Sequence, residues 1–198
     1  MSCYTFFPIA SPVFFNIYID CVIDKITDLD IGCYFRGFFS GIWLCVDNII
    51  LLSASVIGLQ HMIDACILEL ENVDLAVNIL KTKCLRIGSR YKAIDTPVAI
   101  NGSSIQWCNQ LSYLGMVFTT SAIFKCNLRE NRANFFRVAN SILSRVGSKN
   151  IPVLMSLVFS KCMSMLTYGV TAIMLKKYEF SKLDNCLVLF LAKIFGTF

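Results

Sequence analysis

Histidine occurs once in these 198 residues, and the ten cysteines, spread from Cys3 to Cys186, include no pair at CxxC spacing. Without clustered thiol or imidazole ligands the chain carries no zinc-site pattern, and the scatter excludes a compact disulfide framework. The cysteines read as reduced thiols, which places the chain inside the cell, in cytoplasm or nucleus. Also missing is a clean apolar run of about 20 residues, the length a spanning helix needs. The run 42–57 is interrupted by Asp47 and Asn48, and the run 151–175 by Lys161. Mean hydropathy of +0.64 and sixteen phenylalanines are high for a soluble chain, yet polar residues at mid-run argue against a membrane span. No basic segment precedes the uncharged start, which Pro8 and Pro12 break, so no signal peptide is expected.

Acidic residues are scarce where basic ones gather. Residues 1–120 hold seven Lys/Arg and ten Asp/Glu, a net −3, whereas residues 121–198 hold eleven and three, a net +8. A basic surplus of this size on a helical segment suits a polyanion such as nucleic acid or an anionic lipid surface, and it also suits a merely solvated helix face. Hydrophobic residues make up 56% of the chain, ample for a core and incompatible with a disordered tail.

Residues 11–27, with Ser11 as cap and Pro12 at the first helical position, space Phe15, Tyr18, Ile19, Val22 and Ile26 as one amphipathic helix. Two short apolar arms, Ile42–Val46 and Ile49–Leu52, meet at Asp47-Asn48 and predict a β-hairpin with that polar pair at or beside its turn. A helix over 55–76, capped by Ser55, follows. Short strands are expected at 82–88, 97–100, 104–107 and 111–118, with Asn101-Gly102 as a hairpin turn. Helices are expected at about 123–146, 152–174 and 179–195. The order is that of an α+β domain followed by an α-helical one.

The segments "SPVFFNIYID", "CVDNIILLSAS", "LQHMIDAC", "VNILKTKCLRIG", "INGSSI" and "LSYLGMVF", with "RENRA" at 129–133 and "LTYG" at 166–169, occur in an order and spacing that resembles the second half of a non-LTR (LINE-type) retrotransposon reverse transcriptase. The resemblance covers nearly the whole chain, though each piece alone is weak. It implies a partial polymerase palm over 1–121, a small antiparallel sheet with helices, and a basic thumb-like helical region over 122–198. In that family a Ser-Pro opens the nucleotide-contacting helix of motif B, and a Tyr-Ala-Asp-Asp hairpin forms motif C. Here the hairpin reads Cys45-Val46-Asp47-Asn48, so the resemblance implies Asp47 as the metal-binding and catalytic carboxylate, with Asn48 at the second ligand position. From the residues alone, an Asp at this place simply caps a turn. "NILKTK" resembles motif D, which implies that Lys81 assists proton transfer to pyrophosphate; Lys81 and Lys83 read equally as solvated lysines. Tyr113-Leu114-Gly115 resembles the primer grip, implying nucleic-acid contacts at Tyr113 and Gly115. The thumb would hold the duplex by phosphate contacts from Arg129, Arg132, Arg137, Arg145 and Lys149. The implied cofactor is Mg²⁺ and the implied partner an RNA or DNA template-primer.

Two-metal nucleotidyl transfer needs carboxylates from separate segments. The family's partner Asp lies far upstream of the Ser-Pro, whereas the first acidic residue here is Asp20. The family's Gln-Gly falls on Phe6 and Phe7, its Tyr on Cys45 and its second Asp on Asn48. These departures describe a truncated, degenerate fragment expected not to polymerise alone and to need a missing N-terminal polymerase half. Apolar surface around 4–15 and 42–52 would then be exposed. Two further readings stay open: a nucleic-acid-binding module without turnover, and a hydrophobic membrane-associated protein, which the strands at 82–118 disfavour.

Overall fold

The computed structural model describes residues 15, 17 and 19–196, apart from 46, 95, 148, 149 and 174. It is an α+β chain of two compact units, one formed by residues 1–84 and 93–107, the other by 85–92 and 108–198. Among the described residues every sheet is two-stranded.

In the first unit Phe15 and Ile17 are helical, and a turn at Ile19 leads into α1, Asp20–Asp28. Ser11 and Pro12, expected to start this helix, lie outside the described residues. Two hairpins follow, β1 (Tyr34–Phe35) with β2 (Phe38–Phe39), and β3 (Ile42–Cys45) with β4 (Asn48–Leu51). The next helix, α2 (Val56–Asn72), begins as expected at Ser55, whose Oγ accepts from the Gly58 N–H at 3.0 Å. Its apolar residues cover two faces. Met62, Cys66 and Leu70 close a core with Ile19, Val22 and Ile26 over the β3–β4 arms. Ile63 and Ile67 face Cys84, Val98, Ile100 and Ile105. The short strands β5 (Lys83–Cys84), β6 (Ala99–Ile100), β7 (Ser103–Ser104) and β8 (Gln106–Trp107) complete this second layer. Asn101 (φ 47°) and Gly102 (φ 78°) make the expected turn, the pair of positive φ values that a tight two-residue hairpin needs. The strand expected over 82–88 is cut to Lys83–Cys84, which pairs with the parallel Gln106–Trp107, while Ile87 makes only an isolated bridge to Ser121.

The second unit opens with a hairpin, β9 (Gln110–Tyr113) and β10 (Met116–Thr119), then α3 (Arg129–Val146), α4 (Ile151–Thr167), a 3₁₀ turn at Val170–Ala172 and α5 (Lys177–Phe195). Its core is a three-helix seam. Phe135 and Ala139 of α3, Leu154, Val158, Cys162 and Leu166 of α4, and Leu183, Cys186, Phe190 and Ile194 of α5 repeat at three-to-four spacing and are buried together. Phe135 meets Phe190 edge to face, ring centroids 6.0 Å apart.

Further boundaries differ from expectation, and α2 already ends at Asn72, not 76. α3 starts at 129, not 123, because Cys126 bridges to Phe118 and the Asn127 N–H bonds to Val117 O at 2.7 Å, which holds this stretch against β10. Asn127 Oδ1 then accepts from the Arg129 N–H at 3.0 Å and starts the helix. α4 stops at Thr167, not 174, where Tyr168 turns extended and Gly169 adopts a left-handed φ of 71°. The β9–β10 hairpin, placed before a boundary at 121, belongs to the helical unit. Residues Ile151–Ala172 form the one described segment long and apolar enough to cross a membrane, 22 residues with mean hydropathy 1.5; Lys161 is exposed within it.

Candidate functional site: a carboxylate hairpin and a basic helical unit

Cys45 pairs with Asn48, so Asp47 stands in the turn itself while Leu44 and Ile49 pack inward on the first core. Two apolar arms thus carry one exposed carboxylate to a hairpin tip. The Asn48 side-chain amide donates to Asp47 Oδ1 at 3.0 Å, which fixes the carboxylate's orientation and occupies one of its lone pairs. One carboxylate and one neutral amide do not form a site for two Mg²⁺ ions, which need anionic ligands from separate segments. Among the described residues no group of three His, Cys, Asp or Glu side chains stands close enough to share a metal.

Lys81 is exposed in the turn after α2, where Asn78 Oδ1 and Asn78 O accept from its backbone N–H at 3.2 and 3.1 Å. Asn78 thereby organises 78–82 into a fixed turn with Lys81 projecting from it. Val77, just before this turn, packs on the same core as Leu44 and Ile49 of the carboxylate hairpin.

The residues for which the resemblance implies nucleic-acid contacts lie in the second unit. Tyr113 pairs with Met116 across a two-residue turn in which Leu114 (φ 48°) and Gly115 (φ 75°) are both left-handed. Gly suits this conformation and Leu does not. Here the chain's separate sequence segments meet. The Tyr168 hydroxyl donates to Leu114 O at 2.8 Å, and Asn131, only 7% exposed, donates through Nδ2 to Met165 O at 3.2 Å and Tyr168 O at 3.1 Å. Asn131 thus satisfies carbonyls at the end of α4 that have no partner within the helix. The resemblance, with the basic charge of this stretch, pointed to the arginines of "RENRA" and passed over its asparagine; a polar residue on an apolar helix face was the available signal.

The arginines divide by position. Arg129 and Arg132 stand at the start of α3, beside a cleft of about 150 Å³ that Lys182 and Glu179 of α5 also line. Arg137 donates to Asn134 Oδ1 at 2.7 Å one turn along, and Arg145 sits in the last turn, where a cation complements the helix dipole. Lys149 lies outside the described residues. Lys182, which sequence reading did not single out, is joined to this group only by folding. The unit as a whole carries fourteen Lys/Arg against three Asp/Glu, net +11, while the first unit carries four against ten, net −6. Folding into these two units therefore sharpens the charge separation seen along the chain.

No protein-family model matches this chain, and comparison with curated proteins and with solved structures likewise found no match.

Proposed function

We propose that these residues correspond to the palm and thumb portion of a reverse transcriptase of the non-LTR retrotransposon type, and that they bind nucleic acid without turning it over. The observation that carries the reading is the β3–β4 hairpin, which projects the Asp47 carboxylate from two partly buried apolar arms between α1 and α2. That is the setting in which a palm keeps a metal-binding carboxylate. The net +11 of the helical unit supports the binding half of the proposal, because phosphate neutralisation supplies most nonspecific affinity for nucleic acid.

Turnover is left out of the proposal on chemical grounds. Two Mg²⁺ ions need a second carboxylate from another segment, and Asn48 donates to Asp47 instead of adding charge beside it. A polymerising assembly would have to bring a second carboxylate beside Asp47, which the described residues do not do.

Primer extension on an RNA template with Mg²⁺, run with the chain and its Asp47→Ala variant, tests this. Neither protein should extend the primer, and both should bind the template-primer with an affinity that falls steeply as salt rises. Extension abolished by Asp47→Ala would overturn the reading of no turnover, and binding insensitive to salt would overturn the polyanion reading. Membrane association, which rests on Ile151–Ala172, predicts instead flotation with neutral lipid vesicles.

A further inference from the structure

Cations gather where the local electrostatics disfavour them. The N-terminus of an α-helix carries partial positive charge, so anionic groups stabilise it and cationic ones do not. Yet α3 opens on Arg129, with Arg132 one turn later and Glu130 as the lone acidic residue of its first turn. Across the cleft, α5 adds Lys182, whose ammonium lies 5.0 Å from the centre of the Tyr178 ring. Glu179 is the sole acidic residue of the lining, and its carboxylate is engaged by the Lys176 backbone N–H at 2.9 Å and the Tyr178 hydroxyl at 3.2 Å. No ion pair holds Arg129, Arg132 or Lys182 among the described residues.

Arg132 is partly buried beside the cleft; its Nε is shielded from solvent and has no hydrogen-bond partner, so the terminal guanidinium nitrogens are the donors left for a ligand. The cleft, about 150 Å³ and ending on the Asn127-Leu128 start of α3, has room for one tetrahedral oxyanion.

We infer that the cleft between the start of α3 and the first turns of α5 is a phosphate site, in which Arg129, Arg132 and Lys182 hold one phosphodiester of a nucleic-acid strand. Guanidinium donors can meet the phosphate oxygens in pairs, and the ammonium adds a point charge from the opposite wall. The source of the phosphate rests on the polyanion reading above; the site itself rests on the cleft.

The test uses the full chain, its Arg132→Gln and Lys182→Gln variants, and Lys161→Gln as a control that removes the same charge from a residue not lining the cleft. Circular dichroism first establishes that each is folded; Lys182 is exposed, so its variant keeps the test open if Arg132→Gln fails to fold. Thermal unfolding is followed in inorganic phosphate against chloride at equal ionic strength, and binding of a single-stranded oligonucleotide is followed across a salt series. Phosphate should raise the melting temperature of the parent chain and of Lys161→Gln but not of the cleft variants. The cleft variants should bind the oligonucleotide about tenfold more weakly, with a salt slope reduced by about one. No phosphate effect on the parent, or equal effects on parent and cleft variants, overturns the site. Oligonucleotide binding equal in the parent and both cleft variants overturns the site and leaves the polyanion reading standing. A cleft-dependent phosphate effect with no oligonucleotide binding upholds the site and overturns the nucleic-acid source. Binding only to anionic vesicles, through the same residues, overturns that source as well.

Discussion

The Tyr168 hydroxyl donates a 2.8 Å hydrogen bond to the carbonyl oxygen of Leu114, joining the turn after α4 to the tip of the β9–β10 hairpin across 54 residues of chain. Tyr168 is half exposed, so water can replace part of what this bond supplies. Tyr168→Phe should cost about 0.5–1.5 kcal/mol in urea unfolding. Simultaneous loss of the hairpin's amide protection in hydrogen exchange would show that the hydroxyl holds the tip; unchanged protection would show that β9–β10 is held by its own pairing.

Asn131 matters more because it is buried. Asn131→Leu leaves the Met165 and Tyr168 carbonyls without their donor and should cost about 1–3 kcal/mol. Asn131→Asp should cost at least as much at neutral pH, since a carboxylate cannot donate and lies at the negative end of α4. Part of that loss should return as pH falls through the carboxylate range and the protonated acid donates again. Denaturant midpoints of the two variants measured from neutral to acid pH decide the point.

Leu114 holds a φ of 48°, a conformation that β-carbon sterics penalise by about 1–2 kcal/mol in an L-residue. Leu114→Gly removes that penalty at the cost of greater freedom in the unfolded chain, for a net gain of about 0.5–1 kcal/mol. The bond from Tyr168 uses the backbone carbonyl and should survive the change. A lower denaturant midpoint in the variant would mean that the half-exposed Leu114 side chain contributes more packing than its exposure suggests.

Burial among α1 and α2 side chains pushes the Cys66 thiol up to about 11. A thiol whose folded value is raised stabilises the fold fully below its ordinary value near 9, and that contribution is lost as pH climbs towards 11. Stability should therefore decline across this window, and Cys66→Ala should flatten the decline while lowering stability at neutral pH through the cavity it leaves. Alkylation followed by mass spectrometry at pH 8 should label exposed Cys21 well before Cys66.

Phe35 and Phe38 flank the β1–β2 turn at 66% and 76% exposure, and Trp43 on the β3 arm is 57% exposed. Exposed apolar surface of this kind invites association. Phe38→Ser should reduce binding of a hydrophobic dye and raise the concentration at which the chain self-associates, with stability within about 0.5 kcal/mol of the parent. No change in either measurement would remove this face from consideration. The sequence led to the expectation of exposed apolar arms over 42–52; there Trp43 and Leu52 are exposed, whereas Leu44 and Ile49 pack on the first core, and residues 4–14 lie outside the described part.

Much of the local structure was legible because its causes are local. The apolar–polar–apolar run at 42–52 could pair in only one way that kept both arms partly buried, so the carboxylate hairpin and its turn were readable. Asn101-Gly102 and the Ser55 cap were readable for the same reason. The start of α3 was not, because apolar spacing continues back through Ile123 and Phe124 while hydrogen bonds to β10 claim that stretch; Asn127, whose side chain accepts from the Arg129 N–H, was the overlooked start signal.

By itself the sequence determined the helices, the tight turns, the isolated carboxylate at 47 and the drift from acidic to basic along the chain, since spacing, turn residues and composition act within a few residues of one another. Only the tertiary structure decided that the "YLG", "RENRA" and "LTYG" segments converge on Asn131 and Tyr168, and that Lys182 comes to face Arg129 and Arg132 across one cleft. Those relationships span tens of residues and depend on how the three-helix seam packs, so no local pattern encodes them.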